Sequence, residues 1–449
     1  MSVSGLACGS TEMLERLIRR IQMNRALRLL PAVILAGTAH VAFALPGCLP
    51  VFDPTVCTQP PTGTSFWWQD LIDLELVPEY DGTGVTVVVM EEGFPRNADV
   101  YLPADHIDYT YAASFGPQGE GSLESDHQTP KAFGHEAGHA IAVAGVIVGV
   151  LGVPKPFDTA YGSMQPGAAP GAKVVPVSIY NESHGGPSRV PAAAAAFRYV
   201  ARLKAEGKIG PVIINCSWRW IEAPQDLLDA IDEAIAQGVI VIAVAGNDGP
   251  EDNTVVPVPG GHTPVITVGG VGWLREGSFP EDACRRWFFE DVPEVDPASE
   301  VYVTKFASRG PEVDLVAPAV FILGWFPDGH GVNVSEPPPI DGSEIPSETI
   351  HGSDGTSFAA PLVSSVVARM LQKNPTLTQG QVEGILKASA FPIAEAPNGA
   401  ETTYSRCLDD SFIDYEYYYQ DGRVPPWGAT ATGAGLLNAR RALDLTPLP

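Results

Sequence analysis

The stretch Gly355-Thr356-Ser357-Phe358-Ala359-Ala360-Pro361 decides how this chain is read. A glycine delivers two hydroxyl residues to the start of a run, 357–371, that is apolar enough to be a buried helix. The first-turn N–H groups of a helix have no acceptor within it, so a serine placed there sits where developing negative charge is best received. Ala359 and Ala360 would let the helix approach neighbouring backbone closely. A blander reading makes Thr356 or Ser357 an ordinary cap of a buried helix. The chemical reading needs partners from elsewhere in the chain, because a serine hydroxyl is a poor nucleophile until a base takes its proton.

Outward from this stretch, short β-branched runs at 85–90, 174–177, 212–214, 239–245, 265–268 and 313–316 alternate with helical patterns at 192–205, 227–237 and 379–388. Strands apolar on both faces and separated by helices imply a mostly parallel sheet with helices on both sides, a doubly wound α/β fold. An acidic and aromatic segment near 272–304, and one rich in Pro, Gly and acid near 326–351, interrupt the rhythm and are expected to be surface insertions.

Several of these landmarks carry short motifs. Val85-Thr86-Val87-Val88-Val89-Met90-Glu91-Glu92-Gly93 ends a strand in acid, and His139-Ala140-Ile141-Ala142-Val143-Ala144-Gly145 starts an apolar run with histidine. Ala243-Val244-Ala245-Gly246-Asn247 ends a strand in an amide. Asn215-Cys216-Ser217, Phe306-Ala307-Ser308-Arg309-Gly310-Pro311 with Ala317-Pro318, and Gly433-Ala434-Gly435-Leu436-Leu437-Asn438-Ala439 fall in the same order. Together with the Gly-Thr-Ser stretch they resemble the subtilisin-like serine peptidases from about residue 70 to 445, within an expected domain of 65–445. That resemblance implies Ser357 as nucleophile, His139 as general base, Glu91 as the orienting acid and Asn247 as an oxyanion donor. It also implies that a peptide adds as a strand beside Ser217, Trp218 and Arg219. The primary pocket would be walled by Ala245, Gly246 and the Pro259-Gly260 turn.

The chain departs from the family pattern in places. Glu91 stands where the family has Asp, and Glu92 is a second candidate that strand alternation would turn the other way. Ala140-Ile141 replaces Gly-Thr, and Ala142 replaces a second histidine. Trp218 and Arg219 stand where the family has small residues; Trp218 and Trp220 would narrow the cleft, shape an aromatic subsite or pack in the core. Arg219 would meet an acidic substrate group or remain a solvated charge. His135-Glu136-Ala137-Gly138-His139 also matches HExxH, a zinc-peptidase pattern. Gly134 and Pro130 before it, and the lack of a His or carboxylate from 140 to 157, argue against zinc. Two classes of function follow: an endopeptidase that needs no cofactor, or a catalytically weak domain of the same fold that binds peptides. A structural calcium site has no legible motif.

Composition sets the context. The formal charge of -26 and pI of about 4.6 argue against nucleic acid as a partner and fit a solvated surface outside the cell, while a peptide or protein substrate is what the family resemblance implies. Five arginines before residue 29, the uncharged run 29–45 and the small-residue site Ala42-Phe43-Ala44 read as an export signal over 1–47. Leu45-Pro46-Gly47-Cys48 loosely matches a lipoprotein box, which would attach Cys48 to a membrane. A Pro/Thr-rich linker, 48–64, follows, and the domain is expected outside the cytoplasm. Of six cysteines, Cys48 with Cys57 and Cys284 with Cys407 are candidate pairs in an oxidising compartment. Cys216 reads as a buried thiol.

Overall fold

A computed structural model of the chain describes residues 66–94, 98–116, 121–123, 135–151, 165–179, 189–249, 256–273, 297–320, 322–325, 350–401 and 423–449. The export signal, the linker, the four cysteines of the candidate pairs and most of both insertions lie outside those residues.

The central strands are β1 (Thr86–Glu91), β2 (Ala113–Phe115), β3 (Gly121–Leu123), β4 (Lys173–Ser178), β5 (Val212–Cys216), β6 (Ile240–Val244), β7 (Ile266–Trp273), β8 (Val301–Val303) and β9 (Leu315–Pro318). They form one nine-stranded sheet in the order β8-β7-β6-β5-β1-β4-β2-β3, with β9 also paired to β7. All pairings are parallel except β7 with β8 and β2 with β3. The chain lays β2 to β4 on one side of β1 and then crosses to build β5, β6 and β7 on the other. Sites in such sheets lie at the carboxyl ends of the strands, beside that reversal.

Alternation along the strands divides the core in two. Val87, Val89, Ile213, Ile242 and Val268 face one layer, packed with α1 (His135–Val148) and α4 (Thr356–Lys373). Val88, Met90, Ile214, Cys216 and Ala243 face the other, packed with α2 (Arg189–Ala205) and α3 (Gln225–Ala236). Every side chain of β5 and β6 is buried, which is why these strands read as continuous apolar runs. A further helix, α5 (Gln379–Ser389), begins with a reciprocal capping box between Thr378 and Gln381. No described helix is long and apolar enough to cross a membrane.

The segment read as a surface insertion from 272 is sheet at both ends. β7 continues through Gly272 to Trp273, and β8 pairs back against it, Tyr302 opposite Gly272. A Cβ on Gly272 would fall 2.4 Å from the Tyr302 ring, so the glycine makes room for one of the largest fully buried side chains. Likewise Ile350 and His351 belong to a strand, Ile350–Ser353, paired with Ile322–Trp325 rather than to a loop.

Candidate active site

Register along β1 settles where its two acidic residues point. Val87 and Val89 face the layer of α1 and α4, and Glu91 continues that side as the last residue of β1; alternation carried one residue further would turn Glu92 the other way. The Glu91 carboxylate is 2% exposed, and its Oε2 lies 3.1 Å from His139 Nδ1. A carboxylate can only accept, so the proton of this bond is on Nδ1 and Nε2 is the basic nitrogen of the ring. Glu91 Oε1 is buried with no hydrogen-bond partner. The charge is felt through the sheet: the Cys216 thiol is pushed well up, first by complete burial and then by Glu91.

Helix α1 carries His139 in its second turn and packs on α4. The imidazole meets the Phe358 ring at 5.9 Å between centroids, beside the residue that follows Ser357. The substitutions Ala140, Ile141 and Ala142 are all fully buried in the layer between the sheet and α4. The side chains of His135 and Glu136 lie outside the described residues, and His139 is turned to Glu91.

The start of α4 explains the motif that carries Ser357. Gly355 takes φ 149° and ψ 149°, a region open only to glycine, and its N–H donates to Ala319 O at 2.8 Å. A Cβ there would also press on Asn247 Nδ2 at 3.2 Å. Thr356 donates from both its N–H (3.0 Å) and its hydroxyl (2.8 Å) to Asn247 Oδ1. Those two donors fix the amide so that Nδ2 is its donor end. Phe358 N–H turns back to Gly355 O. Among the described residues the Ser357 N–H alone in this turn has no acceptor.

Pro361 supplies a further reason. It has no N–H, so the Ser357 carbonyl loses its partner four residues on. Ser217 replaces it: the Ser217 hydroxyl donates to Ser357 O at 2.8 Å, and the Ser357 hydroxyl donates to Ser217 O at 3.3 Å. Asn215 then donates to Ser217 Oγ (2.9 Å) and accepts from the Ser364 hydroxyl (2.9 Å). This buried chain of side chains docks α4 on the end of β5. The sequence shows Asn215 only as the first residue of an Asn-Cys-Ser motif; its role is visible because an amide in an otherwise apolar strand must find partners.

Beyond Ser217 the backbone of Trp218 and Arg219 makes no main-chain hydrogen bond among the described residues, while Trp220 pairs with Val258. An open strand edge therefore borders Ser357. Trp218 and Trp220 pack half-buried against the layer of α2 and α3. Arg219 is not a solvated charge: its Nη2 pairs with Asp248 Oδ1. Ala245 is buried at the base of the same wall, and Gly246 at φ 101° bends the chain toward Asn247. Gly260 is held against Val244, where a Cβ would come within 2.5 Å of the Val244 oxygen.

Comparison with known proteins gives the family and the fold. The model of the subtilase family matches residues 82–418. Serine protease AprX of Bacillus subtilis (strain 168) is 30% identical over 172 residues, 37% of this chain and 33% of that protein. Subtilisin DY of Bacillus licheniformis is 25% identical over 260 residues, 58% of this chain and 72% of that protein. The crystal structure of fervidolysin from Fervidobacterium pennivorans, a keratinolytic enzyme related to subtilisin, superimposes with a TM-score of 0.53 at 22% identity. That match covers 86% of this chain and 46% of fervidolysin, and at this identity it speaks for the fold.

Proposed function

The chain belongs to the subtilase family, and from that premise we propose that it is a serine endopeptidase acting outside the cytoplasm. In this reading His139 Nε2 takes the Ser357 proton as the hydroxyl leaves Ser217 O and attacks a peptide carbonyl. Glu91 holds the Nδ1 proton and stabilises the imidazolium that forms. The oxyanion is received by the Ser357 N–H and Asn247 Nδ2, each such donor being worth about 3 kcal/mol. His139 then returns the proton to the leaving amine, and water repeats the sequence on the acyl-enzyme. The substrate backbone pairs with the open edge at Trp218 and Arg219, an extended mode that suits peptides.

The observation that carries this reading is the Glu91–His139 bond, made by a histidine that packs on Phe358 beside Ser357. A fluorophosphonate probe tests it: the parent chain should be labelled at Ser357, and Ser357→Ala should be neither labelled nor active while keeping its fold. An unlabelled but folded parent would leave a peptide-binding domain instead. Activity lost to a chelator and restored only by zinc would replace serine chemistry with the HExxH motif. For export, N-terminal sequencing of secreted protein should give cleavage after Ala44, and a lipid mass on Cys48 would instead place the chain on a membrane.

A further inference from the structure

Resting on the peptidase reading, we infer that Arg219, tied to Asp248, fills the primary pocket, so that the enzyme selects a small residue on the acyl side of the scissile bond. The two walls of that pocket are the segments leaving β5 and β6, neighbouring parallel strands. A substrate side chain would lie between them, above Gly246. In this chain that space is taken from within. A Cβ on Gly246 would come 2.8 Å from Arg219 Cδ and 3.4 Å from its Nε, so the arginine stem already touches the opposite wall.

The far end is anchored. The guanidinium pairs with Asp248, and both side chains are largely withdrawn from solvent, 33% and 18% exposed. The Asp248 N–H donates to Ser308 Oγ at 3.1 Å, and the Ser308 N–H donates to Gly246 O at 2.9 Å, which ties the backbone of Asp248 to the wall its side chain faces. A bulky substrate residue would have to lift the stem off Gly246 and break this pair, leaving a half-buried carboxylate unpaired. An acidic residue fares no better. Asp248 Oδ2 is already a buried acceptor without a partner, and a second anion beside it would be repelled. Glycine, alanine or serine needs none of that space.

The test uses tetrapeptide p-nitroanilides that differ only in the acyl-side residue: Ala, Phe or Glu. The parent should prefer Ala over both others. Arg219→Ala should raise the Phe-to-Ala ratio of kcat/KM by at least about 10-fold, since a single methylene accommodated in a hydrophobic pocket already changes such a ratio by about 10- to 200-fold. Asp248→Ala leaves the arginine in place but untied, and should move the ratio the same way by a smaller factor. A parent that prefers Glu, with that preference lost in Arg219→Ala, would overturn the proposal. So would active variants with an unchanged Phe-to-Ala ratio, although the serine peptidase reading would survive. A parent neither labelled by fluorophosphonate nor active on any of the three substrates would remove both readings together.

Discussion

Glu91→Gln isolates the charge behind the histidine at nearly constant volume. The carboxylate is almost fully buried and bonded to Nδ1 at 3.1 Å. With charge centres about 4 Å apart and an effective dielectric near 20, the imidazolium gains about 4 kcal/mol from this neighbour. Removing it should slow the reaction by about 10³. The amide adds a second penalty, whichever way it is turned. With its NH₂ toward the ring it opposes the Nδ1 proton and selects the wrong tautomer. Turned over, the NH₂ occupies the position of Oε1, which has no partner, and becomes a buried orphan donor costing about 1–3 kcal/mol. The orphan donor costs stability rather than rate, so the loss in kcat should lie between about 10³ from the charge alone and about 10⁴ with the wrong tautomer, the size seen when a comparable triad loses its charge. Glu91→Asp keeps the charge but withdraws it by about 1.5 Å, one bond length, so a partial loss is expected. Glu92→Gln, on the opposite face, should lie within a few-fold of the parent. The assay is kcat/KM for the three variants with circular dichroism as the folding control. Near-parental activity in Glu91→Gln with loss in Glu92→Gln would refute the strand register on which the site is built.

Asn247→Ala should cost about 10²–10³ in kcat with little change in KM, as expected for a donor used only in the transition state. It should also lower Tm, since the Thr356 N–H and hydroxyl lose their common acceptor; a large KM effect with kcat intact would contradict the assignment. Cys216 is fully buried and its thiol is pushed well above the ordinary range, so at pH 9 it should stay unalkylated in the native chain and react once the chain is unfolded in urea. Peptide mapping by mass spectrometry reads this, and native labelling at Cys216 would show that the β5 layer opens.

What the sequence made legible follows from how local each signal is. Strand β1 could be read because five consecutive buried residues serve two cores at once, and Ser357 because a glycine turn, a hydroxyl and an apolar helix adjoin. Glu91 was readable as a strand-end residue and His139 as the head of an apolar run, although 48 positions separate them and the helix begins one turn earlier, at His135. Contacts between distant, individually ordinary residues were not. Strand β8 is three residues long and pairs across a gap from Gly272 to Tyr302, inside a segment that read as a surface insertion. Arg219 looked like a surface charge because its partner Asp248 lies 29 residues on, beyond a helix and a strand. Asn215 offered a signal that could have been used: an amide inside Val-Ile-Ile-Asn-Cys is too costly to bury unless it is bonded.

Helix α4 is buried on every side from Thr356 to Leu371, so its apolar surface has no polar stripe to say which way it should turn. Hydrophobic burial rewards many rotations of such a cylinder nearly alike. The Ser217, Asn215 and Ser364 bonds do not, because a turn of one residue, about 100° on a helix of 3.6 residues per turn, would strand all of them in a dry interior. They act as a key that indexes the helix. A hydrophobic replacement such as Ser364→Ala need not unfold the protein, but it loosens the choice among rotations and with it the direction in which the hydroxyl at position 357 points.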